Sequence, residues 1–208
     1  MDNQTISDIE KESLKFLERD FNQCFMQMRH YDSQIFDILK FMFTGYTALI
    51  GIAIGFFQFG IKEDINLNCA IIASLLVGLI LGLFMLALTT RNRVYFVQVT
   101  RYINEQRELF YRYKPIGFEN KAKMYTNCNQ PPFYNWRSSQ AWFMNIIALL
   151  NSTLLSVLLF IALKGNPHKL FIIIVGSFFL FIVQLIINII YLKSRENKSA
   201  SIAVFGKE

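Results

Sequence analysis

The sequence predicts an all-α, polytopic membrane protein with four transmembrane helices arranged as two hairpins. Four stretches carry no charged residue, and each is long enough to cross a hydrocarbon core about 30 Å thick as a helix, which takes about 20 residues. With 53% hydrophobic and 17% charged residues among 208, a soluble fold would have to bury four such stretches, which is out of proportion to its length. A short, a long and a short connection separate the stretches: Phe41–Ile61, Ile65–Thr90, Ser138–Leu163 and Leu170–Leu192.

The distribution of charge predicts the side of the membrane that each connection occupies. The long middle connection, residues 91–137, carries nine basic and three acidic residues, and residues 193–208 are also basic. Basic residues near the ends of spans favour the cytoplasmic side, so we expect this connection and both termini inside and both tight turns outside. Lys164 and Lys169 oppose this assignment but are outnumbered. Residues 1–20 are polar and acidic, which does not fit a cleavable signal peptide.

The chain divides into five predicted segments. Residues 1–37 form an amphipathic cytoplasmic arm, because apolar residues from Leu14 to Met42 recur at alternating steps of three and four in a heptad seam. No proline or glycine precedes Gly45, so we expect the arm to continue into the first span as one rod. The remaining segments are the first hairpin, a basic cytoplasmic helix with an aromatic loop, the second hairpin and a cytoplasmic tail: residues 38–90, 91–137, 138–192 and 193–208.

The arm and the basic helix together predict a two-helix cytoplasmic stalk. The apolar seam of the arm would pack on the basic helix, and self-association through the seam is the alternative. Aromatic rings of the loop and of the following span are expected at the headgroup level, where amphipathic rings settle. These rings are Tyr125, Phe133, Tyr134, Trp136 and Trp142.

Small residues at four-residue steps predict how the first hairpin closes. In lipid, helices associate where small side chains let their backbones approach closely, and in an antiparallel hairpin two such faces meet at similar depth. We expect these residues to form a seam within the hairpin, with contact between protomers as the alternative use. They are Thr47, Gly51 and Gly55 on the first span, and Ala70, Ser74, Gly78 and Gly82 on the second.

The second hairpin carries polar side chains within its apolar stretches. Amides in hydrocarbon need partners, so these side chains predict hydrogen bonds between the two helices. The alternative is that they line a water-filled path in an oligomer. One polar face on each span holds the residues in question, Asn145, Ser152 and Ser156 on the third and Ser177, Gln184 and Asn188 on the fourth. Asn151 and Thr153 lie off the first of these faces.

No pattern of residues indicates an enzyme. The two histidines, His30 and His168, fall on opposite sides of the predicted membrane and cannot share a metal site or a catalytic pair. The sequence has no glycine-rich phosphate loop, no His-Glu-x-x-His zinc motif and no nucleophile elbow. The spans also lack the ionisable residues that proton relays and voltage sensors usually need. We therefore expect no catalytic residue, no metal site and no cofactor.

The order of parts resembles that of small four-span bacterial inner-membrane proteins, some of which belong to antiviral defence systems. An amphipathic arm, a tight hairpin, a charged helix with the sequence RYINEQR at Arg101–Arg107, a loop and a second hairpin follow one another. The membrane component of the Kiwa system and the membrane effectors of cyclic-nucleotide and CRISPR-linked defence look similar in size and layout. The resemblance implies an inner-membrane oligomer that senses infection or disrupts the membrane, together with a cytosolic partner.

These observations predict a non-enzymatic, homo-oligomeric inner-membrane protein that senses or perturbs the bilayer in bacterial antiviral defence. A cytosolic protein, a nucleotide signal or anionic headgroups would contact the basic segment, whose charge is otherwise explained by positive-inside topology. The contact residues would be Arg101, Arg107, Arg112 and Lys114. Direct binding of nucleic acid is not expected. Two alternatives are a channel with a polar path between the third and fourth spans and a scaffold that anchors a soluble enzyme.

Overall fold

A computed structural model of the protein describes residues 8–112, 117, 119–121 and 125–196. Across these ranges the chain is all-α, with four helices at Asp8–Lys62 (α1), Asn68–Arg112 (α2), Ser139–Ala162 (α3) and Lys169–Lys193 (α4). Each of the four is long and apolar enough to cross a membrane. The predicted all-α architecture of four such helices is therefore confirmed, and it is compatible with a multi-pass membrane protein.

The first helix, α1, is one uninterrupted rod of 55 residues, about 80 Å long at 1.5 Å per residue. Asp8 and Glu10 lie in its first turn, where negative charge complements the helix dipole. The tight turn after α1 requires Gly60, because a Cβ there would lie 2.6 Å from the carbonyl oxygen of Ile65. From Asp8 onward, the arm and the first apolar stretch form one continuous helix.

The second helix, α2, likewise continues from its apolar stretch into a basic portion without a break. We call the helical portions outside the apolar stretches, residues 8–40 of α1 and 91–112 of α2, the stalk. The Tyr31 and Tyr95 rings stack across it with centroids 5.5 Å apart. The carboxylate of Asp20 accepts hydrogen bonds from the Tyr102 hydroxyl and from Nε2 of Gln106, both at 2.7 Å. The apolar seam of α1 therefore packs against α2 within one chain.

The third helix, α3, lies at the centre of the bundle and packs against all three of the others, whereas α4 rests mainly on α3. The core contains wholly buried side chains such as Leu75, Ile147 and Leu154. Large apolar side chains on the outward face of α4 are exposed instead, including Phe171 and Phe178. An apolar surface of this extent suits contact with lipid rather than water.

Two glycines of α2 lie at close helix contacts. A Cβ on Gly78 would lie 2.5 Å from Cδ2 of Leu49, and a Cβ on Gly82 would collide with the Tyr46 hydroxyl. Large side chains of α1 thus occupy the space that the missing side chains of α2 leave open. Glycine is required at these two positions for packing, not for its backbone freedom.

The structure corrects the prediction that the small residues of α1 pack against those of α2. A Cβ at Gly51 or Gly55 would meet nothing within 4 Å, and Thr47 is exposed. On α2, Ala70 and Ser74 are exposed as well. The two glycine series do not meet because α1 turns its larger side chains toward α2. The small-residue face of α1 is left at the surface of the single chain.

Candidate functional site

Arg93 lies on α2 three residues beyond the apolar stretch, yet it is only 3% exposed. Its guanidinium donates from Nε to the Phe133 carbonyl at 3.0 Å, from Nη2 to the Pro132 carbonyl at 2.9 Å and from Nη1 to Oε1 of Gln140 at 2.9 Å. Burial lowers the pKa of Arg93 to about 10, so the side chain is still a cation at neutral pH. The planar fork of donors suits this arrangement, which the single ammonium of lysine could not reproduce.

Gln140, at the start of α3, connects Arg93 to α1. Its Oε1 accepts from Arg93, and its Nε2 donates to Oδ1 of Asp32 at 2.8 Å. The negative charge of Asp32 raises the pKa of Arg93 and so opposes part of the effect of burial. Three helices therefore meet in one short chain of hydrogen bonds, with the buried cation at one end and the carboxylate at the other.

Arg101, two turns further along α2, makes a second link. Its Nε donates to the Pro131 carbonyl at 3.1 Å, and its Nη2 pairs with Oε1 of Glu196. The other carboxylate oxygen of Glu196 accepts from the backbone N–H of Phe133 at 2.9 Å. The ring of Phe133 is wholly buried and lies 4.7 Å from the Arg101 guanidinium carbon. The segment after α4 is thus tied to α2 through the loop before α3.

Asn104, on the same face of α2, also bonds the loop before α3. Its Nδ2 donates to the carbonyls of Asn127 and Gln130, at 3.1 and 2.8 Å. Together with Arg93 and Arg101 it bonds five backbone carbonyls between Asn127 and Phe133. Steps of eight and three residues place these side chains on one side of a helix. We call the connected side chains Asp32, Arg93, Arg101, Gln140 and Glu196 the junction.

A second polar group lies inside the apolar part of the bundle. The Tyr46 hydroxyl lies 2.8 Å from Oδ1 of Asn151 and 3.0 Å from the Gly78 carbonyl. Asn151, which is wholly buried, donates from Nδ2 to Oε1 of Gln184 at 2.8 Å. Because the amide joins α1, α3 and α4, its hydrogen bonds specify how the two hairpins pack together.

Polar side chains also meet at other levels of the apolar bundle. The Ser156 and Ser177 hydroxyls are 2.7 Å apart between α3 and α4. The Thr90 hydroxyl lies 3.0 Å from Oδ1 of Asn188, but Nδ2 of Asn188 has no partner within the described part of the chain. Asn188 is 8% exposed, so this nitrogen is a buried donor without an acceptor.

The two polar faces predicted for the second hairpin meet in part. Gln184 contacts Ser152 at 3.5 Å, and Ser156 contacts Ser177, but Asn145 takes no part in these hydrogen bonds. Asn151, predicted to lie off the face, instead occupies the centre. The reason is that α3 packs against three helices, so its buried stripe is wider than one polar face. In the sequence, Asn151 lies seven residues after Met144, and residues seven apart fall on the same face of a helix. Met144 is also buried.

Of the basic residues expected to contact a partner, the structure describes the side chains of Arg101 and Arg107, and both make contacts within the chain. The Arg101 guanidinium is bonded within the chain, to the Pro131 carbonyl and to Glu196. The guanidinium carbon of Arg107 lies 5.5 Å from the Phe21 ring centroid and 5.2 Å from that of Tyr125. Arg112 ends α2, and Lys114 lies outside the described residues.

The junction contains residues that sequence reasoning did not select. In the sequence, Arg93 is one of nine basic residues of a basic segment, and nothing distinguishes Asp32, Gln140 and Glu196 from other polar residues. The available signal was the spacing of Arg93, Arg101 and Asn104 along one helix face. Their acceptors are mostly backbone carbonyls, which leave no trace in a sequence. The ring of Phe133, which we expected at the headgroup level, is wholly buried within the protein.

Within the described ranges, no three His, Cys, Asp or Glu side chains form a group that could hold a metal ion. Comparison of the chain with protein-family models, curated proteins and solved structures finds no match.

Proposed function

We propose that this chain is a multi-pass protein of the bacterial inner membrane whose cytoplasmic stalk transmits a cytosolic signal to its membrane spans. The observation that carries the proposal is the junction, which joins both rods of the stalk to the second hairpin where the apolar stretches end. In this function the protein is a non-enzymatic homo-oligomer, and it senses or perturbs the bilayer. The antiviral-defence setting is part of the proposal and is supported by the resemblance in layout described above.

The distribution of charge and aromatic rings supports a cytoplasmic stalk. Basic residues concentrate in residues 91–137, the last part of α2 and the loop that follows it, as expected for an inner surface. Trp136 and Trp142 are both about half exposed, and their rings lie 5.8 Å apart beside the start of α3. Exposed indoles at the end of an apolar helix are typical of the headgroup layer.

Continuity of α1 supports transmission along the molecule. A displaced arm moves the first span with it, because a helix bends sharply only at the cost of main-chain hydrogen bonds. The junction then passes the displacement to α3 through Gln140 and to the end of α4 through Glu196. A cytosolic partner that binds the arm could therefore move all four spans.

The exposed face of α1 with Thr47, Gly51 and Gly55 supports self-association. A Cβ at either glycine would meet open space within one chain, so a second helix could approach there as small residues allow in lipid. Replacing Gly51 with leucine is expected to reduce chemical crosslinking between copies in membranes. Leucine at exposed Val77 of α2 is the matched control, and equal crosslinking in both variants would count against this interface.

The channel alternative has less support. Gln184 accepts a hydrogen bond from Asn151, and Ser156 pairs with Ser177, so these groups already have partners within the chain in place of pore water. Ion flux through reconstituted vesicles that disappears when Gln184 and Asn188 are changed to leucine would reinstate it. A stably co-purified soluble enzyme would instead favour the scaffold alternative.

The function is tested by phage challenge of bacteria that produce the protein together with the products of its neighbouring genes. Wild-type protein is expected to lower phage plating and to depolarise the membrane during infection, as read by a potential-sensitive dye. Arg93→Gln should lose both effects while remaining in the membrane fraction. Arg137→Gln, which removes the same charge from an exposed position, should retain them.

Two results would overturn different parts of the proposal. Unchanged plating with the wild-type protein would refute the defence setting. Full protection by Arg93→Gln at normal abundance would refute transmission through the junction.

A further inference from the structure

A half-open groove of about 390 Å³ lies between α2 and α4, which contact each other at only a few points. Its walls are apolar, formed by residues such as Leu83, Leu86 and Ile187. Its polar end, toward the stalk, is formed by Thr90, Arg91, Asn188 and Tyr191. The groove follows α2 from Leu83 to Arg91, a distance of about 12 Å at 1.5 Å per residue.

The polar end of the groove presents a hydrogen-bond donor that lacks an acceptor. Asn188 is 8% exposed, and its Oδ1 is already bonded to the Thr90 hydroxyl. Its Nδ2 has no partner among the residues that the structure describes. A buried amide N–H is costly to leave unpaired, which favours an acceptor from a molecule that enters the groove.

Arg91 places a positive charge at the mouth of the groove. Its Nε and Nη2 lie 3.2 and 2.9 Å from the Tyr95 hydroxyl, which orients the guanidinium. Throughout the described ranges, no acidic side chain pairs with it. An oriented cation without a carboxylate partner, at the end of an apolar stretch, suits a phosphate group.

We propose that the groove binds one molecule of an anionic glycerophospholipid from the inner leaflet. An acyl chain lies against Leu83 and Ile187, an ester carbonyl accepts from Nδ2 of Asn188, and the phosphate binds Arg91. The groove presents an apolar wall, a donor and a cation in the order in which such a lipid presents its chain, ester and phosphate. Its length of about 12 Å fits within one leaflet of a hydrocarbon core about 30 Å thick.

This inference rests on the membrane placement proposed above but not on the defence setting or on transmission through the junction. It names the lipid that the protein would respond to when it senses the bilayer. A second copy of the chain inserted between α2 and α4 is the competing occupant, and the experiment below separates the two.

The test is native mass spectrometry of the full-length protein, delipidated in detergent and titrated with phosphatidylglycerol or phosphatidylcholine. Wild-type protein is expected to retain one phosphatidylglycerol in preference to phosphatidylcholine. Arg91→Gln should weaken phosphatidylglycerol binding about tenfold and remove the preference, because the guanidinium that favours a net anionic headgroup over the zwitterionic choline headgroup is lost. Leu83→Trp, which fills the groove, should weaken binding of both lipids, as should Asn188→Leu. Arg137→Gln is the matched charge control and should bind as wild type.

The outcomes distinguish the possibilities. Equal phosphatidylglycerol binding by wild type, Arg91→Gln and Leu83→Trp would overturn the proposal, even if Asn188→Leu failed to fold. A change of oligomeric mass in Leu83→Trp without any change in lipid binding would overturn it in favour of an interface between copies. Arg93→Gln should keep the bound lipid, so failure of the transmission proposal in cells would leave this result standing.

Discussion

Replacing Arg93 with glutamine should destabilise the folded bundle more than any exposed charge substitution. Glutamine cannot reach the Pro132 carbonyl, the Phe133 carbonyl and Gln140 together, so several buried polar groups lose a charged partner. Hydrogen bonds to a charged group contribute about 1.5–3 kcal/mol each. The desolvation of the guanidinium, which also lowers its pKa, offsets several kcal/mol of that sum. A net loss of about 3–5 kcal/mol is expected, as for other buried charge networks that lose one member.

That loss is measurable as a change in thermal unfolding of the purified protein in detergent. For a chain of this size, 1 kcal/mol corresponds to about 2–4 °C in Tm, so Arg93→Gln should unfold about 10 °C below the wild type. Arg93→Lys should fall between the two, since it retains charge but loses the planar fork. Arg137→Gln should stay within about 0.5 kcal/mol of the wild type. A Tm for Arg93→Gln within about 2 °C of the control would refute the structural importance assigned to this residue.

Three further predictions concern other contacts. Gly82→Ala should destabilise the bundle by roughly 1–3 kcal/mol through overpacking against Tyr46, whereas Gly55→Ala should be neutral or stabilising; equal Tm changes would contradict the assigned packing. The hydrogen bond to Asp20 raises the pKa of Tyr102, so this contact stabilises the stalk below pH 10 and is lost as pH rises through the folded-state value. In a spectrophotometric titration, Tyr102→Phe should lack one of the late-ionising tyrosines of the wild type. Glu196→Gln should make trypsin cleave several-fold faster after α4, because the bond to Arg101 weakens; an unchanged rate would show that this bond does not anchor the segment.

The long helices could be predicted from the sequence because both periodicity and the absence of breakers are local properties. The arm keeps its heptad seam up to the first apolar stretch, and α1 is accordingly continuous. The packing partner of a small-residue face is not a local property. Gly78 and Gly82 mark places where the α2 backbone is accessible, but the sequence does not reveal that Tyr46 and Leu49 fill them.

The junction was harder to predict because its acceptors are carbonyl groups of a loop. Any residue type supplies a backbone carbonyl, so the loop sequence gives no indication that Arg93 and Asn104 hold it. The contacts of the two carboxylates in the junction are equally hard to predict, because their partners are distant in the sequence. Asp32 and Glu196 are far apart in the chain, and each reaches its partner only after folding: Asp32 bonds Gln140 of α3, and Glu196 bonds Phe133 of the loop.

Arg91 and Arg93, two basic residues of α2 separated by one position, have different surroundings. Residues two apart on a helix point in nearly opposite directions, at about 100° per residue. Arg93 turns inward and bonds the loop before α3, whereas Arg91 turns outward beside Tyr95 and the groove. Positive-inside topology accounts equally for both charges, but it does not account for the burial of one and the orientation of the other. If Arg91 binds lipid phosphate, the bilayer and the junction are connected to opposite faces of the same turn of α2. A change in lipid occupancy would then reach the arm through α2 itself, without any further element.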